Sequence, residues 1–380
     1  MEFSLSDDQI AIRDLAKQII GDRSTDEFVR DFAESDEAFD KQLWALLADA
    51  GLLGLALPAK VGGSDFALLE VCQVLEAIGQ YLAPIPYMAS VVLAASSIAE
   101  FGNEQQQQRY LEPLASGQTI LTAAVAELAM VEAARPRCVA SKTATGWSIS
   151  GEKYCVPYAA QASAMLLPVI DEGSGETLVF MVDLNNDGIS REDLVTTAYE
   201  PQAHLRFDKL EVVADQLLGL AGQGNEIINK LQLVASTAVA AIQLGVAEEA
   251  LKRTAAYTSE RVQFGRPIGS FQAVALRAAD GYIDLEAMRS TYWQAAWRLD
   301  QGKDAAAAVH TAKWWAAYGG NRVANSAQHM HGGIAADIKY PMHRFFLWAK
   351  HYELQQGSAL MQLANLGDLL AEQDIHLTTI

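Results

Sequence analysis

The chain of 380 residues predicts an α+β fold built from three consecutive parts. Helical signals dominate as far as Ser116, strand-and-turn signals follow, and a helical period then continues towards the C-terminus. We therefore expect an N-terminal helical domain at residues 1–118, a middle β domain at 119–222 and a C-terminal helical domain at 223–380.

The first helix has a clear start signal. Ser6 and Gln9 form an S-x-x-Q capping box, and Leu5 and Ile10 are spaced to pack on each other as a hydrophobic staple. Together these residues predict a helix over Asp7–Gly21. Farther along, the apolar stretch 67–82 predicts another helix that is mostly buried.

The middle part carries short β-rich runs separated by turn residues. TGWSISG, LVFMVDL and HLRFDKLEVV alternate with clusters of glycine, asparagine and aspartate at the spacing of strands and turns. After Gly222 and Gly224 the helical period returns, with alanine-rich runs and no repeat of the solenoid type.

Charge and composition exclude several classes of function. A net charge of -19 argues against nucleic-acid binding, because phosphate backbones are held by surplus lysine and arginine. The longest nearly apolar run, Tyr87–Ala99, is shorter than the ~20 residues that cross a bilayer. The acidic start MEFSLSDDQ is unlike a signal peptide. We expect no membrane span.

The cysteines indicate a reducing compartment. Cys72, Cys138 and Cys155 lie far apart with no C-x-x-C spacing, so they predict neither a disulfide framework nor a zinc site. Cys155 is expected to be a buried packing residue, because no histidine or helix start stands beside it in sequence. These features favour the cytoplasm as the location.

The densest group of candidate binding residues is Tyr257–Gln272, which reads YTSERVQFGRPIGSFQ. Arg261 offers a planar fork of donors suited to a pyrophosphate, and the next residues add an amide, a flat apolar ring and an unhindered backbone. Pro267 is expected to stop the preceding helix. The set fits a dinucleotide, although spacing alone equally allows a surface arginine beside an ordinary turn.

This stretch closely resembles the FAD-binding signature of the acyl-CoA dehydrogenase family. The residues that carry the resemblance are Arg261, Gln263, Phe264, Gly265, Pro267, Ile268, Phe271 and Gln272. It implies the family's fold, with a helical domain, a β-barrel or sandwich domain and a four-helix bundle. It also implies an acyl-CoA substrate, an acceptor such as electron-transfer flavoprotein, and a homo- or hetero-oligomer, because the family's segment binds the FAD of the neighbouring subunit.

A second cluster, HMHGGIAADIKYP, covers residues 329–341. Gly332 and Gly333 let backbone approach a ligand closely, and the flanking histidines offer donors. Family members commonly read Q-x-H-G-G here, which places His331 on the motif and His329 at the glutamine. The resemblance implies that His329, Gly332 and Gly333 contact the cofactor. Without a third ligand nearby, the two histidines predict no metal site.

The C-terminal part resembles the family's closing segment, which ends in Y-E-G-T. The match places Gln356 at the glutamate and Ser358 at the threonine. The resemblance implies that Ser358 is one of the cofactor-binding residues. In the family that glutamate removes the α-proton of an acyl-CoA while the β-hydrogen leaves as hydride to the flavin. A neutral amide cannot accept a proton, so Gln356 occupies the catalytic position without being a base.

Other positions do not restore the base. Some branches of the family supply it from a different helix, where the match gives Ala235 and Ser236. Glu353 is the nearest acid in sequence, and on a regular helix it would share a face with Gln356 but lie ~4.5 Å away along the axis. His351 is the simplest candidate base only for an enzyme of another class on this fold, and an exposed or capping histidine is the plainer interpretation.

The β domain also departs from the family at positions that face the flavin. The phrase K-x-W-I-T reads K-Y-C-V-P here, with Cys155 and Pro157 at the aromatic and threonine positions. Ala126 replaces a second threonine if Glu127 is matched to the family's glutamate. Hydroxyl donors are lost at both places.

The functional prediction follows from this contrast. Residues for the phosphate end persist while those for the flavin ring and the base do not, and a subunit that serves its neighbour's cofactor can lose its own reaction centre. We expect the base-lacking subunit of a hetero-oligomeric FAD-dependent acyl-CoA dehydrogenase, resembling those that bacteria use on bulky acyl chains such as steroid side chains. The alternatives are a flavin monooxygenase or nitroalkane-oxidase-like enzyme on the same fold, and a non-catalytic structural subunit.

Overall fold

The computed structural model describes residues 3–128 and 134–372. The helices are α1 (Asp7–Arg23), α2 (Asp26–Ala33), α3 (Lys41–Asp49), α4 (Leu68–Tyr81), α5 (Ser96–Phe101), α6 (Glu104–Ala115), α7 (Gly224–Glu260), α8 (Gln272–Asp300), α9 (Ala306–His331), α10 (Met342–Leu354) and α11 (Ala359–Glu372). The strands are β1 (Leu121–Ala123), β2 (Val139–Lys142), β3 (Gly146–Pro157), β4 (Ala164–Asp171), β5 (Thr177–Asp183), β6 (Ile189–Leu194), β7 (Gln202–Val213), β8 (Val262–Gln263) and β9 (Arg266–Pro267). The predicted α+β fold class is confirmed.

Within the described residues the chain forms two compact units. The helical unit comprises Met1–Ser35, Leu68–Ala83 and Ser236–Ile380, and the sheet unit comprises Asp36–Ala67 and Pro84–Ala235. The division into three domains at residues 118 and 222 stays a prediction.

The sheet unit is built on one seven-stranded sheet. Its order is β1-β4-β2-β3-β7-β6, and β5 also pairs with β4. Pairing is parallel where β4 meets β1 and β2, and antiparallel elsewhere. Strands β4 and β5 are almost wholly buried, and Met165, Leu167 and Phe180 lie in their core. Burial of these apolar side chains stabilises the sheet.

A π-helix at Met88–Ala95 joins this sheet through one serine. Ser90 Oγ donates to the carbonyl of Leu121 at 2.8 Å and accepts from the Leu121 N–H at 3.1 Å. Ser90 is fully buried, so both bonds are shielded from water. The beginning of β1 is therefore fixed against the π-helix.

The helical unit begins as the capping signals predict. Ser6 caps α1 in a reciprocal capping box with Gln9, which confirms that start, and α1 extends two residues beyond the expected Gly21. The Gln9 amide also donates to the Glu70 carboxylate of α4 at 2.8 Å. Helix α4 is buried along most of its length, as expected.

Helices α4 and α7 cross at two glycines. A Cβ atom on Gly79 would lie 2.1 Å from the carbonyl oxygen of Ile242, and one on Gly245 would lie 2.1 Å from that of Glu76. Only glycine permits backbones to approach this closely. The crossing fixes the position of the Ser236–Glu260 part of α7, whose end carries the first candidate binding segment.

One helix of the described residues, α7, is long and apolar enough to cross a membrane by length and composition. The expectation of no membrane span was based on the shorter run Tyr87–Ala99 and did not take α7 into account. In α7, 78% of the most apolar window is buried inside the protein. Such burial is typical of a core helix.

Candidate functional site

The segment after α7 is a tight hairpin. Helix α7 ends at Glu260, and β8 pairs with β9 across Phe264 and Gly265, whose φ angles are 53° and 79°. Two consecutive positive φ angles are the mark of a type I′ hairpin turn. The expectation that Pro267 stops the helix was wrong, because α7 has already ended at Glu260 and Pro267 lies in β9, paired with Val262.

The hairpin presents its side chains to solvent. Phe264 is 92% exposed, and its ring meets Phe271 edge-on at a centroid distance of 6.2 Å. The Arg266 guanidinium lies 4.1 Å from the centre of the Phe271 ring. Arg261 and Gln263 are exposed, Ile268 is half-buried, and Gln272 is the exposed first residue of α8. Donors and a flat ring are thus available to a ligand.

The Gly-Gly cluster lies at the end of α9 beside the base of this hairpin. His331 is buried and stacks on Tyr257 at a centroid distance of 4.5 Å, and the Tyr257 hydroxyl donates to the His331 carbonyl at 3.4 Å. Gly332 has φ 68°, and a Cβ atom on Gly332 or Gly333 would meet nothing within 4 Å. The structure therefore brings the two predicted binding segments together, with open space at both glycines.

The histidines of this cluster differ in environment. His329 is exposed on the last turn of α9, whereas burial lowers the pKa of His331, whose Nδ1 lies 2.9 Å from the Ala327 carbonyl. The neighbouring Gln328 amide donates to the Met342 carbonyl at 3.3 Å. That bond holds the Gln328 side chain against α10, so Gln328 does not take the role of the motif glutamine at whose position His329 stands.

Gln356 lies in the turn between α10 and α11. Helix α10 ends at Leu354, and Gln356 and Gly357 have φ angles of 60° and 92°. The expectation that Glu353 and Gln356 share a helix face was wrong, because the helix ends two residues before Gln356. Ser358 accepts at Oγ from the Met361 N–H at 3.5 Å, at the start of α11.

The acid nearest to Gln356 in sequence, Glu353, is paired with a lysine. The Glu353 carboxylate lies 2.5 Å from the Lys350 ammonium, on the same helix, and its side chain is 18% exposed. His351 is half-buried, with its ring edge-on to Tyr352 at 5.0 Å. The side chain at 356 itself is an amide, so this turn carries no proton acceptor at that position.

The residues at which the β domain differs from the family pattern, Ala126, Cys155 and Pro157, lie on two neighbouring segments of the sheet unit. The Tyr154 N–H donates to the Ala126 carbonyl at 2.8 Å, and Thr122 Oγ1 donates to the Pro157 carbonyl at 2.6 Å. Pro157 has no N–H to donate. Cys155 is exposed with φ 51°, so its expected burial was wrong. The pairing of β3 with β7 shifts register between Lys153 and Val156, which leaves Cys155 out of the ladder.

Two buried lysines were missed from the sequence. Lys153 pairs with Glu127 inside the sheet unit, and Lys313 lies fully buried on α9. For Lys313 a signal existed, because it stands alone among apolar residues in TAKWWAA. A lysine at a buried helical position is rarely left without partners.

Comparison with known proteins places the chain in one family. The acyl-CoA dehydrogenase N-terminal domain model matches residues 6–118, and the C-terminal domain model matches residues 222–370. Acyl-CoA dehydrogenase FadE27 of Mycobacterium tuberculosis is 37% identical over 380 residues, covering 98% of this chain and 99% of the relative.

Solved structures share the fold along nearly the whole chain. The crystal structure of the ChsE4–ChsE5 complex from Mycobacterium tuberculosis contains a chain with a TM-score of 0.92 and 38% identity, covering 98% of this chain and 99% of that one. A variant of the Tcur3481–Tcur3483 steroid ACAD gives a TM-score of 0.91 and 39% identity with the same coverage, 98% and 99%. The chain therefore belongs to the acyl-CoA dehydrogenase family, FAD-binding oxidoreductases that act on the CH–CH bond of acyl-CoA thioesters.

Proposed function

We propose that this chain is the base-lacking subunit of a hetero-oligomeric acyl-CoA dehydrogenase. The observation that carries the proposal is Gln356, an amide at the position matched to the catalytic carboxylate and held in a left-handed turn. Removal of the α-proton needs a group that accepts it, and an amide does not. A partner chain that keeps the glutamate would supply the base for the assembly.

The matched base positions carry no carboxylate, and the acid nearest to Gln356 in sequence is paired with a lysine. Glu353 precedes the turn on α10, and its carboxylate is held by Lys350 at 2.5 Å. Ala235 and Ser236, at the alternative base position, carry no carboxylate and are buried. Ionisable side chains at both matched positions have thus been replaced by neutral ones.

The helical unit retains groups that fit the phosphate end of FAD. Arg261 supplies paired donors, the Phe264–Gly265 turn exposes a flat ring and open backbone, and Gly332 and Gly333 leave room for a close approach. The further candidates are Gln263, Ile268, Gln272, His329 and Ser358. FAD, when bound, supplies the hydride acceptor. The role of these residues is to bind and orient its anionic end.

The exposure of the hairpin favours a role in binding the cofactor of a neighbouring subunit. Phe264 is 92% exposed at the tip of the turn, and a bound partner or cofactor that covered its ring would gain the free energy of burying apolar surface. The residue also has a left-handed backbone, a conformation that non-glycine residues adopt mostly for a structural or functional reason. Both features support binding to a cofactor that a second subunit carries.

The sheet unit supports the loss of this chain's own flavin-ring site. At the positions where family members place threonines, Ala126 and Pro157 offer no side-chain donor, and Pro157 also lacks the backbone N–H. Cys155 stands at the aromatic position and is exposed. A flavin ring placed here would find fewer hydrogen-bond partners than in a complete subunit.

The relatives favour a particular assembly and substrate class. One similar chain comes from a complex of two differently named proteins, and another belongs to a steroid ACAD. We therefore assign this chain a bulky, steroid-like acyl-CoA as substrate of the assembly, a related partner chain, and an electron-transfer flavoprotein or similar protein as acceptor. A reducing cytoplasm suits the free cysteines.

Co-expression with a similar chain that keeps the catalytic glutamate tests the proposal. We expect the two to copurify, and dehydrogenation of a steroid-like acyl-CoA to occur with the complex and not with either chain alone. Flavin absorbance should be weak in the isolated chain and full in the complex. Complete turnover by the purified homo-oligomer would contradict the proposal. Oxygen consumption by reduced flavin in the chain alone would favour a monooxygenase instead.

A further inference from the structure

The turn that carries Gln356 is held by a buried lysine from another helix. Lys313, on α9, has a fully buried side chain, and its ammonium donates to the carbonyl of Glu353 at 3.1 Å and to that of Gly357 at 2.9 Å. The last carbonyls of a helix have no partner within it, and the N–H groups of a side chain can supply one. Lys313 therefore closes the end of α10 and binds the backbone beyond it.

A second side chain holds the residue between these two contacts. Gln362 of α11, which is 3% exposed, donates its amide to the Gln356 carbonyl at 2.6 Å. Its amide oxygen lies 2.7 Å from Nδ1 of His310, one turn before Lys313 on α9. The carbonyls of Glu353, Gln356 and Gly357 are thus all bound by side chains from neighbouring helices.

These contacts hold a strained stretch of backbone in place. Gln356 has φ 60°, which costs free energy for a residue with a Cβ and persists only where the surroundings enforce it. The three bonds that Lys313 and Gln362 make to the turn all end on backbone carbonyls, and none ends on the amide side chain of Gln356. The geometry at position 356 is therefore set independently of the side chain that stands there.

We propose that Lys313 is the positioning residue for position 356, with Gln362 as its second support, so that the turn stays in the geometry of a catalytic base although the base is absent. The inference rests on the proposed function only for the role of position 356. An unpaired buried carbonyl is costly, so loss of the ammonium should free the turn before it unfolds the helices.

Amide hydrogen exchange on the full chain tests this directly. Lys313→Met keeps the length of the side chain and removes its donors. We expect about tenfold faster exchange at the amides of Gln355 and Gly357, with the rest of α9 and α10 unchanged. Lys313→Arg, which keeps the charge and donors, should restore most of the protection.

Lys350→Met is the matched control. It removes a lysine of α10 that binds the Glu353 carboxylate and not the turn carbonyls, so exchange at Gly357 should stay within about threefold of the original. Protection that is unchanged in Lys313→Met, or lost uniformly across α9, α10 and α11, would overturn the proposal. The same holds if the Met and Arg variants exchange equally fast.

A second variant covers the case in which Lys313→Met does not fold. Gln362→Leu removes the donor to the Gln356 carbonyl, and the same amides should exchange faster; unaltered exchange would count against the proposal. Exchange is read without turnover, so a failure of the proposed function leaves this test intact.

Discussion

The Lys153 ammonium lies 2.6 Å from the Glu127 carboxylate, and the two side chains are 0% and 3% exposed. Glu127 also accepts from the N–H groups of Arg137 at 2.6 Å and Cys138 at 3.2 Å. Burial opposes its ionisation, but the charge of Lys153 and these hydrogen bonds lower the pKa of Glu127 below its ordinary value. The pair ties the backbone after β1 to β2 and β3.

Breaking this pair should strongly destabilise the protein. Lys153→Met leaves a buried carboxylate without its cation, and we expect the free energy of unfolding to fall by about 3 to 5 kcal/mol in urea denaturation. Arg191→Met is the control, because Arg191 pairs with Asp193 on the surface, where such a pair contributes about 0 to 1 kcal/mol. Equal losses of unfolding free energy in the two variants would contradict the inference that the buried Lys153–Glu127 pair stabilises the fold.

The glycine crossing gives a second stability prediction. In Gly79→Ala the new methyl group collides with the Ile242 carbonyl, and the backbone of α7 must move. We expect a loss of about 3 kcal/mol, measured by thermal unfolding. Gly367→Ala on α11 is the matched control, since a Cβ there meets nothing within 4 Å. It should be neutral or stabilise by up to about 1 kcal/mol, because alanine favours the helix.

The buried lysine of α9 predicts a pH dependence of stability. Burial lowers the pKa of Lys313 from its ordinary 10.5 to about 7. Below pH 7 the folded and unfolded chains both carry the proton, and the cost of the buried charge is fully present. Between pH 7 and 10.5 only the unfolded chain stays protonated, so the free energy of unfolding rises with pH.

Lys313→Met should lack this rise. Over about two pH units above 7, the original chain is expected to gain about 2 kcal/mol relative to the variant in urea denaturation. The comparison between the two proteins cancels the contribution of other titrating groups. Parallel stability curves would show that Lys313 keeps its ordinary pKa in the folded state.

The hairpin arginine should be needed to retain FAD in the assembled complex. Arg261→Ala removes a charge-assisted pair of hydrogen bonds, and we expect FAD binding to weaken by about 1.5 to 3 kcal/mol. Flavin absorbance after gel filtration measures the loss. Arg266→Ala, in the same hairpin but with its guanidinium over Phe271, should retain the flavin better. Unchanged flavin content in Arg261→Ala would remove Arg261 from the site.

A carboxylate restored at position 356 should create a base. If flavin and acyl group are correctly placed in this subunit, Gln356→Glu is expected to raise dehydrogenation by about 10² to 10⁴-fold over background, the range of general-base catalysis. Gln355→Glu adds the same charge one residue away and should not raise the dehydrogenation activity. Continued inactivity of Gln356→Glu would show that the flavin pocket of this subunit is itself defective.

Local signals predicted much of the fold. The capping box of Ser6 and Gln9, the buried helix α4 and the strands within TGWSISG, LVFMVDL and HLRFDKLEVV all follow from patterns that span a few residues. Caps and periodicity act over one or two turns of chain, so a short window contains the information. Expectations about Pro267, Cys155 and Glu353 failed where strand pairing or an early helix end intervened.

By itself, the sequence determined the order of helices and strands and the absence of a carboxylate at Gln356, and it predicted a dinucleotide-binding segment at Tyr257–Gln272. Only the tertiary structure decided which distant groups meet. Lys153 bonds to Glu127 across 26 positions of sequence, and Lys313 to Gly357 across 44. No local pattern encodes such partners, because a buried charge is stabilised by whatever the packed chain places beside it.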